Sequence, residues 1–206
     1  MAISNFGELK TAVGAWLAKD YGEPREAEFI TLGLAYINRE LRVRAMELAV
    51  DLTVSAQTVA LPTRYLAGRR LYLSTSPVAK LDYMSPFIFW KKFVGSLTGQ
   101  PKAFTIEGEN LVFGPDPDGT YTGKFLYYQG IVDFTADSDT HALLTKSPDL
   151  FLYAALMSAH IFKGDAALAA PMQILIDKLI ARMHREDSRD RHSGDAMQIR
   201  TEIGNP

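Results

Sequence analysis

SPDLFLYAALMSAHIFKGDAALAAPMQILIDKLIARMHREDSRDRH, residues 147–192, is the stretch whose reading decides the fold, because it spells two consecutive helices with their punctuation intact. Ser147 suits an N-cap, Pro148 the first helical position, where no N–H is needed, and Asp149 the positive end of the helix dipole. From Leu150 to Phe162 the run is apolar almost all round, broken mainly by Ser158 and His160. A helix apolar on every face is a buried helix. Gly164 supplies the stop and Asp165 the cap of a second, antiparallel helix. There Leu168, Met172, Leu175, Ile176, Leu179, Ile180 and Met183 recur at helical spacing, with Gln173, Asp177, Lys178, Arg182, Arg185 and Glu186 on the other face. Pro171 leaves two starts open: the helix begins at the proline, or a first turn from Asp165 is kinked by it.

Working outward to the N-terminus, Phe6, Leu9, Val13, Trp16 and Leu17 share one face of a helix over 4–19, with Ser4 as its expected N-cap. Glu23-Pro24 opens a second, half-buried helix carrying Ala27, Ile30, Leu34, Ile37 and Leu41. After about Ala49 the period changes from 3.6 to 2. Asp51–Val54 and Thr58–Leu61 flank Ser55-Ala56-Gln57 and suggest a hairpin closed by Pro62. Short strands are expected at 69–74, 79–84, 102–107, 110–114 and 120–128, and a short helix at 86–97 with Pro86 in its first turn. Aromatic residues such as Tyr72, Phe104, Phe113, Phe125 and Tyr127 suit a pleated, half-covered surface. Residues 133–146 read as a polar, solvated connection. Residues 193–206 alternate Met197, Ile199, Thr201 and Ile203 against Gln198, Arg200 and Glu202, which is the pattern of a strand with no neighbour in sequence.

The fold class expected from this pattern is α+β, mainly helical: an antiparallel helix bundle with an inserted β-rich segment and an extended C-terminal tail. The helical body takes 1–48 and 136–192, the β-rich insertion 49–135, and the tail 193–206. A chain of 206 residues buries roughly 70% of its unfolded surface, enough for such a core. The formal charge of −2 exerts no global pull on nucleic acid or acidic membrane. The absence of cysteine excludes disulfides, thiolate metal sites and a cysteine nucleophile. MAISNFGELK has no apolar signal-peptide core, and the helix at 148–162 is too short to span a bilayer, so synthesis and folding in the cytosol is the expectation.

Catalytic motifs are missing: there is no G-x-S-x-G, H-E-x-x-H, P-loop or G-x-G-x-x-G. Of the histidines 141, 160, 184 and 192, His160 lies in an apolar helix and reads as a core residue with a satisfied hydrogen bond. His184 and Glu186, two apart on a helix, point away from each other and make no metal pair. Gly114-Pro115-Asp116-Pro117-Asp118-Gly119 lacks the spaced oxygens of a calcium loop and reads as a turn between strands. No enzyme, cofactor or metal is expected. Arginine clusters at 39, 42 and 44, at 64, 69 and 70, and at 182, 185, 189 and 191 are interleaved with acids. Mixed-sign faces of this kind suit solvent or subunit contacts, and the competing reading is a DNA-binding packaging accessory protein that uses these arginines.

Several stretches resemble the head–tail adaptor proteins of tailed bacteriophages and related gene-transfer particles. Phe6-Gly7-Glu8-Leu9-Lys10-Thr11-Ala12-Val13 with Trp16-Leu17 is similar to the family's first helix, and Ala35-Tyr36-Ile37-Asn38-Arg39-Glu40-Leu41-Arg42 to its second. Val59-Ala60-Leu61-Pro62 and Arg70-Leu71-Tyr72-Leu73 resemble the next strands, and Gly99-Gln100-Pro101-Lys102, Thr105-Ile106-Glu107-Gly108, Leu111 to Pro117 and Leu126-Tyr127-Tyr128 the strand region. Leu144-Thr145 with Pro148-Asp149-Leu150-Phe151-Leu152-Tyr153 and Ala155-Leu156 resembles the third long helix.

The resemblance implies a virion structural protein in the neck, assembled in the host cytoplasm without a membrane. It implies a homo-oligomeric ring, usually a dodecamer, docked under the portal ring, meeting a tail or nozzle protein, and passing DNA through its channel without specific binding. It also implies that the tail orders against the portal, for which Met197, Ile199, Arg200 and Ile203 are the expected contacts. On this reading the tail is mobile in the free subunit. Arg42, Arg44, Arg182 and Arg185 are the expected subunit-interface residues, since a head-to-tail ring needs two complementary faces.

Overall fold

The computed structural model describes residues 3–17, 23–95 and 97–192, and the chain divides into two compact units. One is discontinuous, drawn from residues up to Val43 and from Ala136 onward; the other is the continuous run Arg44–Thr135. The C-terminal tail lies outside the described residues.

The helical unit contains α1 (Phe6–Leu17), α2 (Glu23–Glu40), α4 (Ala142–Lys146), α5 (Pro148–Phe162) and α6 (Ala166–His192). Helix α5 is its centre, packing against α1, α2 and α6, and Leu150, Phe151, Leu152, Ala154, Ala155, Leu156 and Ala159 are all buried. Each buried leucine or phenylalanine in such a run contributes about 1.5–3 kcal/mol. Gly33 of α2 sits on α5 so closely that a Cβ there would lie 2.9 Å from the Ala154 carbonyl carbon and the Ala155 nitrogen. The α5 stop follows from a left-handed residue: Gly164 has φ of 74°, its N–H reaches the Ile161 carbonyl at 3.0 Å, and the Asp165 N–H reaches the His160 carbonyl at 2.9 Å. Helix α6 then starts at Ala166, with Asp165 Oδ1 accepting from the Leu168 N–H at 3.3 Å. Pro171 therefore lies inside the helix, where the carbonyl four residues before it loses a donor.

The local structure differs from expectation at two places. The cap of α1 is Asn5, whose side chain accepts from the Glu8 N–H at 2.8 Å; Ser4 instead donates from its main chain and hydroxyl to the Glu8 carboxylate, at 2.7 and 2.8 Å. The connection after Thr135 is not merely solvated. The carbonyls of Asp139 and Asp137 accept the otherwise orphan N–H groups of Phe6 and Gly7, at 2.9 and 3.0 Å, and Lys10 meets the Asp137 carboxylate at 2.7 Å.

The β unit opens with a 3-10 turn, Arg44–Met46, and contains β1 (Glu47–Val54), β2 (Thr58–Ala60), β3 (Tyr65–Leu73), β4 (Ala79–Lys80), β5 (Asp82–Tyr83), the short helix α3 (Pro86–Lys92), β6 (Ala103–Glu107), β7 (Asn110–Gly114) and β8 (Tyr121–Gln129). The strands form two four-stranded sheets, ordered β1-β8-β3-β4 and β2-β7-β6-β5. Val54, Leu71, Leu73, Phe125 and Tyr127 of the first sheet share one core with Phe104, Leu111 and Phe113 of the second. Alternation supplies the other face of the second sheet: Ala103 and Val112 pack against Phe89 and Phe93, the buried rings at α3.

The expected hairpin of 51–54 with 58–61 is not formed. Glu47–Val54 pairs along its whole length with β8, from Glu47 opposite Tyr128 to Val54 opposite Tyr121, whereas Thr58–Ala60 pairs with β7 in the other sheet. The link of residues 55–57 therefore crosses from one sheet to the other, and only β1 gains a long remote partner, eight pairs with β8. The Pro/Asp/Gly turn likewise joins strands of different sheets, β7 and β8.

The expectation of a mainly helical bundle with a β-rich insertion and a tail is overturned. The described residues form six helices and two sheets, with 46% helix and 25% strand. The reason is the alternating apolar residues of the strands, from Val54, Leu71 and Leu73 to Phe113, Phe125 and Tyr127, which close a two-sheet core within Arg44–Thr135, so the β part is a compact unit of its own.

Candidate interaction surfaces

Phe89 of α3 and Phe93, the residue that caps it, are turned inward with their centroids 5.0 Å apart, while other apolar side chains of the helix and of the residues that follow it stand in solvent. Phe87 is 80% exposed, Val94 73%, and Ile88, Trp90 and Leu97 are exposed with them. Lys91 and Lys92 close the helix, a favourable sign at its negative end. Trp90 donates its indole N–H to the Glu107 carboxylate, which fixes its ring on the surface. Exposed apolar side chains this close in sequence make the stretch a candidate contact surface. A second feature is a cleft of about 590 Å³ at the rim of the two sheets, floored by Leu71, Phe104, Ile106 and Phe125 and edged by Arg69, Arg70, Lys80 and Asp82.

The four interface arginines expected from sequence have different local settings. Arg42 turns back on the end of its own helix, donating to the carbonyls of Asn38 at 2.8 Å and Leu41 at 2.6 Å, which satisfies orphan acceptors there. Arg44 belongs to the 3-10 turn of the β unit. Arg182 and Arg185 are exposed, three residues apart on α6. Arg182 holds Glu186 at 2.8 Å; this hydrogen bond and charge raise the guanidinium pKa and lower that of the carboxyl, whose pKa the nearby Lys146 also lowers. Solvent screens a pair this exposed, so it adds little to folding and both side chains are available to a neighbour.

In the middle cluster the arginines lie on the sheet surface. Arg69 stacks over Tyr128 at 5.7 Å and meets Glu47 at 3.3 Å, and Arg70 lies over Tyr72 at 5.2 Å. Arg64 holds a positive φ of 58° at the turn into β3. The tail residues Met197, Ile199, Arg200 and Ile203 lie outside the described residues.

Among the described residues no group of three or more histidine, cysteine or acidic side chains is placed to hold a metal, and no helix is long and apolar enough to cross a membrane. His160 departs from the sequence reading: its Nδ1 is buried with no hydrogen-bond partner among the described residues. His141 has a definite role that the sequence did not disclose. It is the N-cap of α4, its Nδ1 accepting the Leu143 N–H at 3.2 Å, and burial lowers its pKa below 6.5. A protonated ring has no lone pair there, so the cap requires neutral histidine. Because the folded-state pKa is depressed, the stability tied to this group is complete above the unfolded value of about 6.5 and is lost as pH falls through the folded value. The urea midpoint should decline over that window, and His141→Asn, which keeps a capping side chain, should remove this part of the decline. An unchanged pH profile in the variant would place the acid sensitivity elsewhere.

In comparisons with known proteins, a family model described as SU10 adaptor protein matches residues 4–200, a span that includes both units. No curated protein matches the chain.

Proposed function

The chain belongs to the SU10 adaptor protein family, a family of phage head–tail adaptors, and from that premise we propose that it forms a ring beneath the portal and extends the DNA channel toward the tail. The family is structural and its members are virion components. The observation that carries the proposal is the extent of the match, residues 4–200, which takes in the helical unit and the β unit alike. The proposed neighbours are the portal ring on one side and a tail or nozzle protein on the other. The exposed apolar side chains at α3 make a surface suited to a protein contact of this kind.

Native mass, measured on the protein alone and after mixing with the portal of the same particle, tests this. A shift from a species of 22.9 kDa to a portal complex holding a fixed multiple of subunits is the expected result. No complex at any ratio, with an intact portal ring, would discard the reading.

Within the ring we propose that Arg182 and Arg185 face acids of the next subunit, with Arg42 and Arg44 near the same seam. Exposed charges at a rim act on association more than on folding. Arg182→Glu with Arg185→Glu should weaken assembly roughly tenfold and reverse its salt dependence. The fold itself should be nearly unaffected, since the new like-charge pair with Glu186, one turn away, lies in solvent. Assembly indifferent to the double change would remove these arginines from the interface.

A further inference from the structure

We propose that the free edge of β1 is the seat of an added strand, supplied by residues 197–203 of a second copy of this chain. The inference deepens the ring reading and rests on it.

The sheet order places β1 at an end, paired on one side with β8 and, among the described residues, with no strand on the other. In an antiparallel pair alternate residues turn both main-chain groups to the outer edge, so a strand of eight residues leaves a row of donors and acceptors there. The remaining edges are protected. β2, β4 and β5 have only three, two and two residues. The uncovered part of β3 carries two register shifts and the charges of Arg69 and Arg70, the usual devices against edge pairing. β1 has neither a bulge nor a basic residue.

Its side chains specify what would fit. Val54 is buried, Val50 and Leu52 are only partly covered, and Leu48 is 42% exposed, so the apolar face of β1 continues past the cover available to it. Ala49, Asp51 and Thr53 occupy the opposite, solvent face. Asp51 lies across from Lys124, 2.6 Å away, with 60% of its side chain still exposed. The incoming strand should therefore alternate apolar and polar residues over about seven positions, with a cation at the centre of its polar side.

Residues 197–203, Met-Gln-Ile-Arg-Thr-Glu-Ile, have that pattern. Setting Arg200 opposite Asp51 places Met197, Ile199, Thr201 and Ile203 on the face of Leu48, Val50, Leu52 and Val54. This holds for parallel and antiparallel addition alike, because Arg200 and Asp51 are the midpoints of their segments. Four residues, Ser193 to Ala196, link this segment to the end of α6 and reach roughly 13 Å when extended. A second copy is the donor because a strand passed from each subunit to the next is a heterologous contact, which a closed ring requires.

The native chain has no cysteine, so engineered pairs report one contact each. An Asp51→Cys chain is mixed with an Arg200→Cys chain under mild oxidation, free and with the portal ring. The expected product is a dimer band at twice 22.9 kDa, absent when either variant is oxidised alone. It should also be absent when Leu48→Cys, on the opposite face of β1, replaces Asp51→Cys.

Absence of the mixed dimer both in the free protein and with the portal overturns the proposal, whether or not the portal complex forms. If the link appears only inside a doubly substituted chain, the second copy is excluded. If the tail gains hydrogen-exchange protection on portal binding without any link to β1, its seat is the portal. The ring reading is judged separately by native mass: a full portal complex without the link defeats only this inference.

Discussion

Gly33→Leu is expected to cost about 3 kcal/mol or more of folding stability, a large part of the 5–15 kcal/mol that holds a domain of this size. Even a Cβ at this position would lie 2.9 Å from main-chain atoms of Ala154 and Ala155, and main chain in the middle of α5 has no rotamer by which to move aside. The helices must separate, and Leu34 and Ile37 of α2, both buried, lose their cover with them. Gly33→Ala should cost less, about 1–2 kcal/mol, because alanine regains about 1 kcal/mol of helix propensity against the clash. The chain has two tryptophans, Trp16 in the helical unit and Trp90 in the β unit. In a Trp90→Phe background, Trp16, set edge-on to Tyr153 of α5 at 6.1 Å, reports this unfolding in urea. A Gly33→Leu midpoint within about 0.5 kcal/mol of the parent would mean that α2 and α5 do not approach so closely.

Phe89→Ala is expected to cost about 3–5 kcal/mol, the range for truncating a fully buried phenylalanine. Phe89 is 0% exposed and forms the centre of the cluster with Phe93, Ala103 and Val112 that covers the outer face of the second sheet. Helix α3 has seven residues, too few to be stable by itself, so Phe89 and Phe93 are what hold it down. With Trp16 replaced by Phe, Trp90 reports the release, and early proteolytic cleavage within 86–97 should accompany it. Phe87→Ala is the control: this ring is 80% exposed, so stability should stay within about 0.5 kcal/mol while partner binding falls. Equal losses for the two variants would contradict the division of α3 into a buried and an exposed side.

The long helices were legible because each spans several turns, so the sequence repeats its apolar period two or three times, and Gly164 marks where α5 stops. Most strands were legible for the same reason at period 2, but 79–84, expected as one strand, is two short ones, Ala79–Lys80 and Asp82–Tyr83, in different sheets. The partners of the strands were not legible. Asp51–Val54 and Thr58–Ala60 are close in sequence and belong to different sheets, since pairing is settled by β7 and β8, far along the chain. Helix α4 has five residues and shows no period at all. The helical weight of the fold was overestimated because helices announce themselves locally, whereas a two-sheet core exists only when remote strands meet.

At the candidate surfaces, PFIFWKKF disclosed an apolar helix but not that Phe89 and Phe93 would be inside and Phe87 outside. Nor did composition separate Arg42, drawn onto the carbonyls of Asn38 and Leu41, from Arg182 and Arg185, which stand in solvent.

The interrupted course of the helical unit has a consequence for how the protein comes off the ribosome. The run Arg44–Thr135 is complete as soon as it emerges and closes its own core from residues it already contains. Helices α1 and α2 emerge earlier, yet the partner that buries Leu9, Val13, Leu34 and Ile37 is α5, made only after the whole β unit has been translated. At about 5–20 residues per second, the first two helices wait several seconds with their apolar faces uncovered. Folding of the β unit shortens that exposure in another way: it brings residues 44 and 135 under the constraint of one compact body and so replaces a long flexible loop by a short one, reducing the entropy lost when α5 finally docks. A variant that slows the β unit should therefore lower the yield of helical unit during synthesis, even when every residue of α1, α2 and α5 is unchanged.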